Sequence, residues 1–336
     1  MTILEKKKPS AFKNAITIFI SVAIAAVFLW VALRGLDFDK IKNSLQKANY
    51  LWVVFAAVFG VSAYIFRAIR WNLLLEPMGY KISNSNSLWS LSFGYLMNLT
   101  IPRSGELARS TALYGVEKVP VDKSFGTIIL ERVVDLVCMM IFLGLTLIFK
   151  FEAIKSFYEN SGFQPNPVFI VTGIAAGIIG IFLFFKFKER FRRFHIISKI
   201  IDFIDGIFEG LKSILKLKQK GKFILLTAGI WICYFFASYL VCFALPETSG
   251  FSPADGCFIL VIGTLGMIIP ASGGIGAFNL AMKFGFAALF ISLGKDATEG
   301  GELGLAYSFI TLPLQISIML VMGLISIPML AKERKI

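Results

Sequence analysis

Six long apolar runs constrain this chain more than any other feature: residues 15–33, 51–66, 125–149, 168–185, 223–245 and 303–330. Each reaches or approaches the ~20 residues that a helix needs to cross the hydrocarbon of a bilayer. No soluble domain of 336 residues needs a sequence that is 57% hydrophobic and only 16% charged. The expected fold is all-α, a polytopic membrane helix bundle forming a single integral membrane domain over residues 1–336. Residues 1–34 predict an uncleaved first helix, because the apolar stretch is too long for a signal-peptide core and lacks a small-x-small cleavage site.

A net charge of +13 could point to nucleic acid, but its placement does not. Lys6, Lys7, Lys8 and Lys13 precede the first run, eleven Lys or Arg fall within residues 186–222, and Lys332, Arg334 and Lys335 close the sequence. Three basic clusters at alternate loops follow the positive-inside rule. They predict a membrane protein with both termini and residues 186–222 cytoplasmic and anionic lipid as the neighbouring surface. Within 186–222, Phe191, Phe194, Ile201, Ile204, Phe208, Leu211 and Leu215 recur at helical steps, predicting an amphipathic connector along the headgroups.

Two stretches are apolar but too short to cross. Residues 88–101 carry Ser90, Ser92, Gly94 and Asn98 and stop at Pro102; residues 106–116 are shorter still. They read as a hairpin that enters and leaves on one side. Counting crossings supports this, since a single full crossing here would put the basic 186–222 segment outside. The second half repeats the pattern: residues 254–269 end at Pro270, a turn with Gly273, Gly274 and Gly276 follows, and residues 278–293 complete the hairpin. Full crossing by both of these pieces would give the same end topology and stays open. The breakpoints Ile101-Pro102-Arg103-Ser104-Gly105 and Ile269-Pro270-Ala271-Ser272-Gly273 lie 168 residues apart. About six spans plus two re-entrant or short-helix hairpins thus form an inverted repeat, with 50–150 as one half and 223–330 as the other. Paired broken helices of this kind mark the midplane binding site of transporters, so Pro102 and Pro270 are expected close together.

Glu131, Arg132 and Asp135 lie inside the apolar run 125–149. Each charge costs roughly 2.5–3.5 kcal/mol at a helix centre, so they are expected to face a cavity or one another. Glu131 and Asp135, four apart, share a face. The run 51–66 is expected to return to the cytoplasmic side and leave Arg67 and Arg70 there; around the first hairpin stand these two with Asn98, Arg103, Glu106 and Arg109. Arginine forks bind carboxylate or phosphate bidentately. Two uses compete: a structural network, with Glu131, Arg132 and Asp135 paired to Arg103, Glu106 or Arg109, or an anion site made by arginines in excess. Gly273-Gly274-Ile275-Gly276 lacks the strand and the Lys-Ser/Thr of a nucleotide loop and serves a tight turn, with Asn279 nearby. Cys138, Cys233, Cys242 and Cys257 have no metal-ligand spacing, and His195 is alone in a basic stretch. No metal, cofactor or catalytic residue is indicated.

The succession Arg67, Arg70-Trp71, Asn98, Pro102-Arg103-Ser104-Gly105-Glu106, Arg109, Glu131-Arg132, Asp135 and Pro270 through Gly276 resembles the lysylphosphatidylglycerol synthase transmembrane-domain family, the flippase-like membrane proteins. The G-E-x-x-R and E-R-x-x-D elements are its specific part, and it covers residues 15 to 330. The resemblance implies a membrane domain that moves lipids between leaflets; aminoacylating members carry a separate soluble domain, which is not expected here. Many relatives have Glu shortly after the glycine loop, where this sequence has Asn279. The reading that follows is a translocator rather than an enzyme, for an anionic phospholipid or polyprenyl-phosphate type of lipid, with no nucleic-acid partner. Its headgroup is expected in a polar cavity between the two hairpins. The alternatives are an integral-membrane transferase acting on a lipid headgroup (phosphatidylglycerol lysyltransferase-like) and a non-catalytic membrane subunit.

Overall fold

The computed structural model describes residues 30, 38–101, 103–160, 217–268 and 274–334. These residues form ten α-helices and no strand. They are α1 (Phe38–Lys47), α2 (Tyr50–Leu75), α3 (Asn84–Thr100), α4 (Gly105–Glu117), α5 (Val121–Phe149), α6 (Phe151–Asn160), α7 (Lys220–Cys242), α8 (Pro253–Ile268), α9 (Ala277–Ser292) and α10 (Ala297–Lys332). Four segments are long and apolar enough to cross a membrane: Tyr50–Met78, Val121–Phe149, Lys220–Cys242 and Ala297–Lys332. These correspond to four of the six expected spans. The runs 15–33 and 168–185 and most of the 186–222 connector lie outside the described residues, as do Pro102, Pro270 and Gly273.

The short pieces form two helical hairpins, α3–α4 and α8–α9, whose arms pack against each other. At 17 and 13 residues, α3 and α4 rise about 25 and 20 Å, short of the ~30 Å core. Local chemistry sets the break. Ile101 is extended, as a residue before proline must be, and so ends α3. The chain then turns through Arg103 in the left-handed region, at φ 62°. Asn98 staples the turn by accepting the Gly105 N–H at 2.7 Å, which satisfies a donor that the start of α4 leaves open. Gly105 and Gly94 let the arms touch backbone to backbone: a Cβ on Gly94 would lie 2.7 Å from the Gly105 carbonyl oxygen.

The arms of each hairpin also pack on the other half. Helix α3 rests on α10, where Gly323 admits Leu96, and α8 rests on α5. Between the halves α2 lies along α7, with Phe66 against Gly229. Small residues allow this close approach, as is common between membrane helices. The apolar core belongs mainly to the second half, around Tyr239, Phe251, Phe258, Phe286, Phe290 and Tyr307. Ile41 of α1 and Ala153 of α6 join it, so both short amphipathic helices seal against this half. Lys40 pairs with Glu302 at 3.4 Å and Lys150 with Asp255 at 2.7 Å, which pins the two helices near buried carboxylates.

One boundary differs from the sequence reading. The second span was expected to end at residue 66, with Arg67 and Arg70 on the cytoplasmic side. Helix α2 instead continues to Leu75, and both arginines are buried within its last turns. The apolar count stops at Arg67 because hydropathy cannot register Asp135 of α5, the carboxylate that pairs with it.

The hairpin contact predicts an asymmetry between glycines. Gly105→Ala places its Cβ against the Gly94 carbonyl oxygen and 2.5 Å from the Asn98 amide nitrogen, at a cost of about 1–3 kcal/mol from overpacking. Gly115→Ala, in the same helix and with nothing within 4 Å, should be neutral or gain up to about 1 kcal/mol. Thermal unfolding of the two variants in one detergent checks this.

Candidate functional site

Helix α5 carries the charges expected to need partners, and the structure supplies one for each. Glu131 accepts from Arg109 Nη1 at 2.7 Å and lies 3.9 Å from Arg70. Arg132 donates to Glu106 at 3.2 Å. Asp135 was expected to meet the first hairpin but does not: it pairs with Arg67 and, at 2.8 Å, with Arg70, both from α2. The reason is geometric. One helical turn beyond Glu131, Asp135 lies past the reach of the hairpin arm and beside α2, where Arg67 and Arg70 are three apart on one face.

The remaining donors and rings come from residues the sequence reading did not single out for this site. Arg67 donates to the Tyr234 hydroxyl at 2.7 Å, and Arg70 reaches Thr227 at 3.4 Å. Thr227 and Tyr234 are seven apart on α7, so they recur on one face just as Arg67 and Arg70 do. Polar residues at same-face spacings, seven in one apolar span and three in the other, were the available signal. Trp71 lies under Arg109, with the guanidinium 3.6 Å from its ring centroid, and its indole N–H donates to Thr127. Such stacking is characteristic of Arg rather than Lys.

The network carries excess positive charge. Arg67, Arg70, Arg109 and Arg132 face Glu106, Glu131 and Asp135, four cations to three anions. The excess arises where Arg67 and Arg70 share Asp135; Arg109, 3% exposed, is paired with Glu131. Its Nη1 serves Glu131, while Nε and Nη2 have no hydrogen-bond partner. These two N–H groups form one edge of the guanidinium, the edge that grips two oxygens at once. Unpaired buried donors on a cation are costly, so this edge is suited to an arriving anion.

Arg109 borders a cleft between the first hairpin and α5, with internal room of about 10 Å³, lined also by Tyr95, Asn98, Gly105, Glu106 and Arg132. That is about the space of one water molecule, far below the roughly 300–1,000 Å³ of small-molecule sites. The cleft lies within the first hairpin and its neighbour, not between the two hairpins as expected. Asn279 is therefore not part of it. Its carbonyl oxygen accepts from Gly276 N at 2.9 Å and its amide donates to Ser308 at 2.7 Å, which uses the side chain to staple the second hairpin. Gly274 and Gly276 turn this loop with φ of 75° and 81°. Arg103 meets none of the carboxylates; it donates to the Ile268 carbonyl at 3.3 Å, at the open C-terminal end of α8. This bond joins the residues flanking the two breakpoints.

The lysylphosphatidylglycerol synthase TM region family matches residues 18–318. The chain belongs to this family. Among relatives, a UPF0104 membrane protein of Methanocaldococcus jannaschii is 25% identical over 126 residues, covering 37% of this chain and 38% of that protein. Glycosyltransferase AglD of Haloferax volcanii is 22% identical over 167 residues, covering 49% of this chain and 26% of its own length. The match thus spans less than half of each relative. No solved structure matches. As a member of this family the chain is a multi-pass membrane protein related to membrane-lipid proteins, and the cleft lies on residues of its G-E-x-x-R and E-R-x-x-D elements.

The buried pair predicts strong coupling. Arg109→Ala or Glu131→Ala alone should cost about 3–5 kcal/mol by stranding the partner charge. The double substitution should fall short of the sum by on the order of 1–3 kcal/mol. A double-mutant cycle by chemical unfolding in detergent checks it.

Proposed function

We propose that this protein is a lipid translocator that moves an anionic phospholipid or lipid-linked phosphate between leaflets of the bacterial inner membrane, with both termini cytoplasmic. The unpaired Nε/Nη2 edge of Arg109, in a network with one cation in excess, carries this reading. Arg132 supports it further. It stands about 16 Å into α5, in line with the exposed Leu136 and Met140. A cation on the exposed stripe of an apolar span suits a headgroup arriving sideways while its chains stay in hydrocarbon.

Substrate phosphate is held by Arg109 and Arg132. Glu131 orients Arg109, while Arg67, Arg70 and Asp135 form the rigid base behind it. Asn98 and Gly105 fix the hairpin. Residues 50–150 and 223–330 serve as inverted halves, which the reciprocal packing of α3 on α10 and α8 on α5 supports. Arg103 ties their broken ends and Asn279 braces the second, so one half can rock against the other in alternating access. The name of the Haloferax relative favours a second reading, a membrane part that presents a lipid acceptor to a transferase.

Full-length protein in phosphatidylcholine vesicles containing dye-labelled phosphatidylglycerol or phosphatidic acid tests the first reading. Dithionite quenching should reveal exchange of inner-leaflet dye in the presence of the wild type. Arg109→Lys keeps the charge opposite Glu131 but loses the two-donor edge and the stacking on Trp71, and should lower the rate about tenfold or more while lowering the unfolding temperature less than Arg109→Ala. Equal rates for Arg109→Lys and wild type would contradict the assignment. Synthesis of a modified lipid without exchange would favour the transferase reading.

A further inference from the structure

The unpaired edge of Arg109 lies in a cleft whose internal room, about 10 Å³, is that of a single water molecule. A phosphate group reaches that edge only where part of the wall gives way. The parts of the wall are not equally free. Arg109 is paired with Glu131 at 2.7 Å and stacked on Trp71, and all three are at most 3% exposed. Asn98 is engaged by the Gly105 N–H, and Gly94 meets Gly105 backbone to backbone. Glu106 of α4 and Arg132 of α5 differ from these. Their side chains are 30% and 45% exposed and meet at 3.2 Å. Among the described residues that line the cleft, Arg132 alone is exposed.

We propose that the Glu106–Arg132 pair is the latch of the cleft, closed in the conformation described, and that it parts to admit a lipid phosphate from the side. The proposal rests on the translocator reading above and names how access to its site is controlled. A part-exposed ion pair is weak, because its surroundings compete and two long side chains lose freedom in holding it. A buried pair is not, since breaking Arg109–Glu131 strands a charge in the interior. The outer pair therefore yields first, and rotation of two long side chains suffices, with α4 and α5 left in place.

The charges permit the exchange. In the closed state Glu106 is the anion that Arg132 holds. A phosphate offers two charged oxygens to the same guanidinium and to the Arg109 edge. Its arrival brings the four cations and three anions of the network to balance, so opening leaves the cluster neutral. The direction of entry follows from the neighbours: Leu107 beside Glu106, and Leu136 and Met140 in line with Arg132, are exposed apolar side chains.

Two measurements on the full-length protein test the latch. Leu91→Cys puts a thiol in the cleft wall at a position 2% exposed. Its modification by methyl methanethiosulfonate in detergent is mapped by mass spectrometry, which scores Cys138, Cys233, Cys242 and Cys257 separately. Labelling at position 91 should be about two- to fivefold faster with Glu106→Gln or Glu106→Ala, the effect of losing a part-exposed ion pair. The buried Cys233 and Cys242 should keep their rates. The second measurement is exchange of dye-labelled phosphatidylglycerol in phosphatidylcholine vesicles, which should quicken by a similar factor in the Glu106 variants. Unchanged labelling at position 91 in both variants would overturn the latch, as would faster labelling of Cys233 and Cys242 alongside it, which marks a loosened fold. Faster labelling at position 91 with wild-type exchange that the variants do not exceed would overturn its control of access and leave the translocator reading standing. Faster labelling there with no exchange by any form would contradict the translocator reading and leave the pair as the gate of the cleft.

Discussion

Guanidinium groups held inside a membrane protein by too few carboxylates organise this molecule. Arg67, Arg70 and Arg109 are each at most 5% exposed, and Glu131 and Asp135 are their acidic partners. Isolated, any one of these charges would be expelled from the interior. Together they fix α2, α4, α5 and α7 around one point, because Arg67 and Arg70 come from α2, Arg109 from α4, both carboxylates from α5, and Thr227 and Tyr234 from α7. The first hairpin can stay short and broken because its second arm is anchored through Arg109. The second half has no comparable charge cluster among the described residues and is held by aromatic packing instead.

This division gives the two halves different capacities. A dry core of Phe251, Phe258, Phe286 and Phe290 is rigid and closed, sealed further by α1 and α6. The first half carries the cleft, the exposed Glu106–Arg132 pair and the strained turn at Arg103. A non-glycine residue at positive φ is uncommon and tends to persist where the surroundings enforce it. Arg103 also donates to the Ile268 carbonyl, which couples the tip of one hairpin to the end of the other.

Much of this was legible in the sequence, and the failures have physical causes. Apolar run length located α5, α7 and α10 within a few residues, and Pro102 and Pro270 marked the hairpin breaks. The cost of charge in hydrocarbon led to Glu131, Arg132 and Asp135, and two of their partners, Arg109 and Glu106, lay in the segment expected. Asp135 was misassigned because helical spacing tells which residues share a face but not which neighbouring helix that face meets. Arg67 and Arg70 were placed beyond the end of the second span for the same reason. Asn279 drew attention as the polar side chain nearest the glycine loop; its amide is consumed by Gly276 and Ser308, which only the fold reveals. Trp71 beneath Arg109 depends on a turn-to-turn register between α2 and α4 that no spacing rule encodes.

The central claim is that the free edge of Arg109 holds a lipid phosphate. Native mass spectrometry of the full-length protein released from mild detergent tests it most directly. The account predicts that wild type retains a phosphate-bearing anionic lipid, that added phosphatidic acid displaces it, and that Arg109→Lys retains none while remaining folded. Equal retention by Arg109→Lys, or retention of zwitterionic lipid alone, would contradict it.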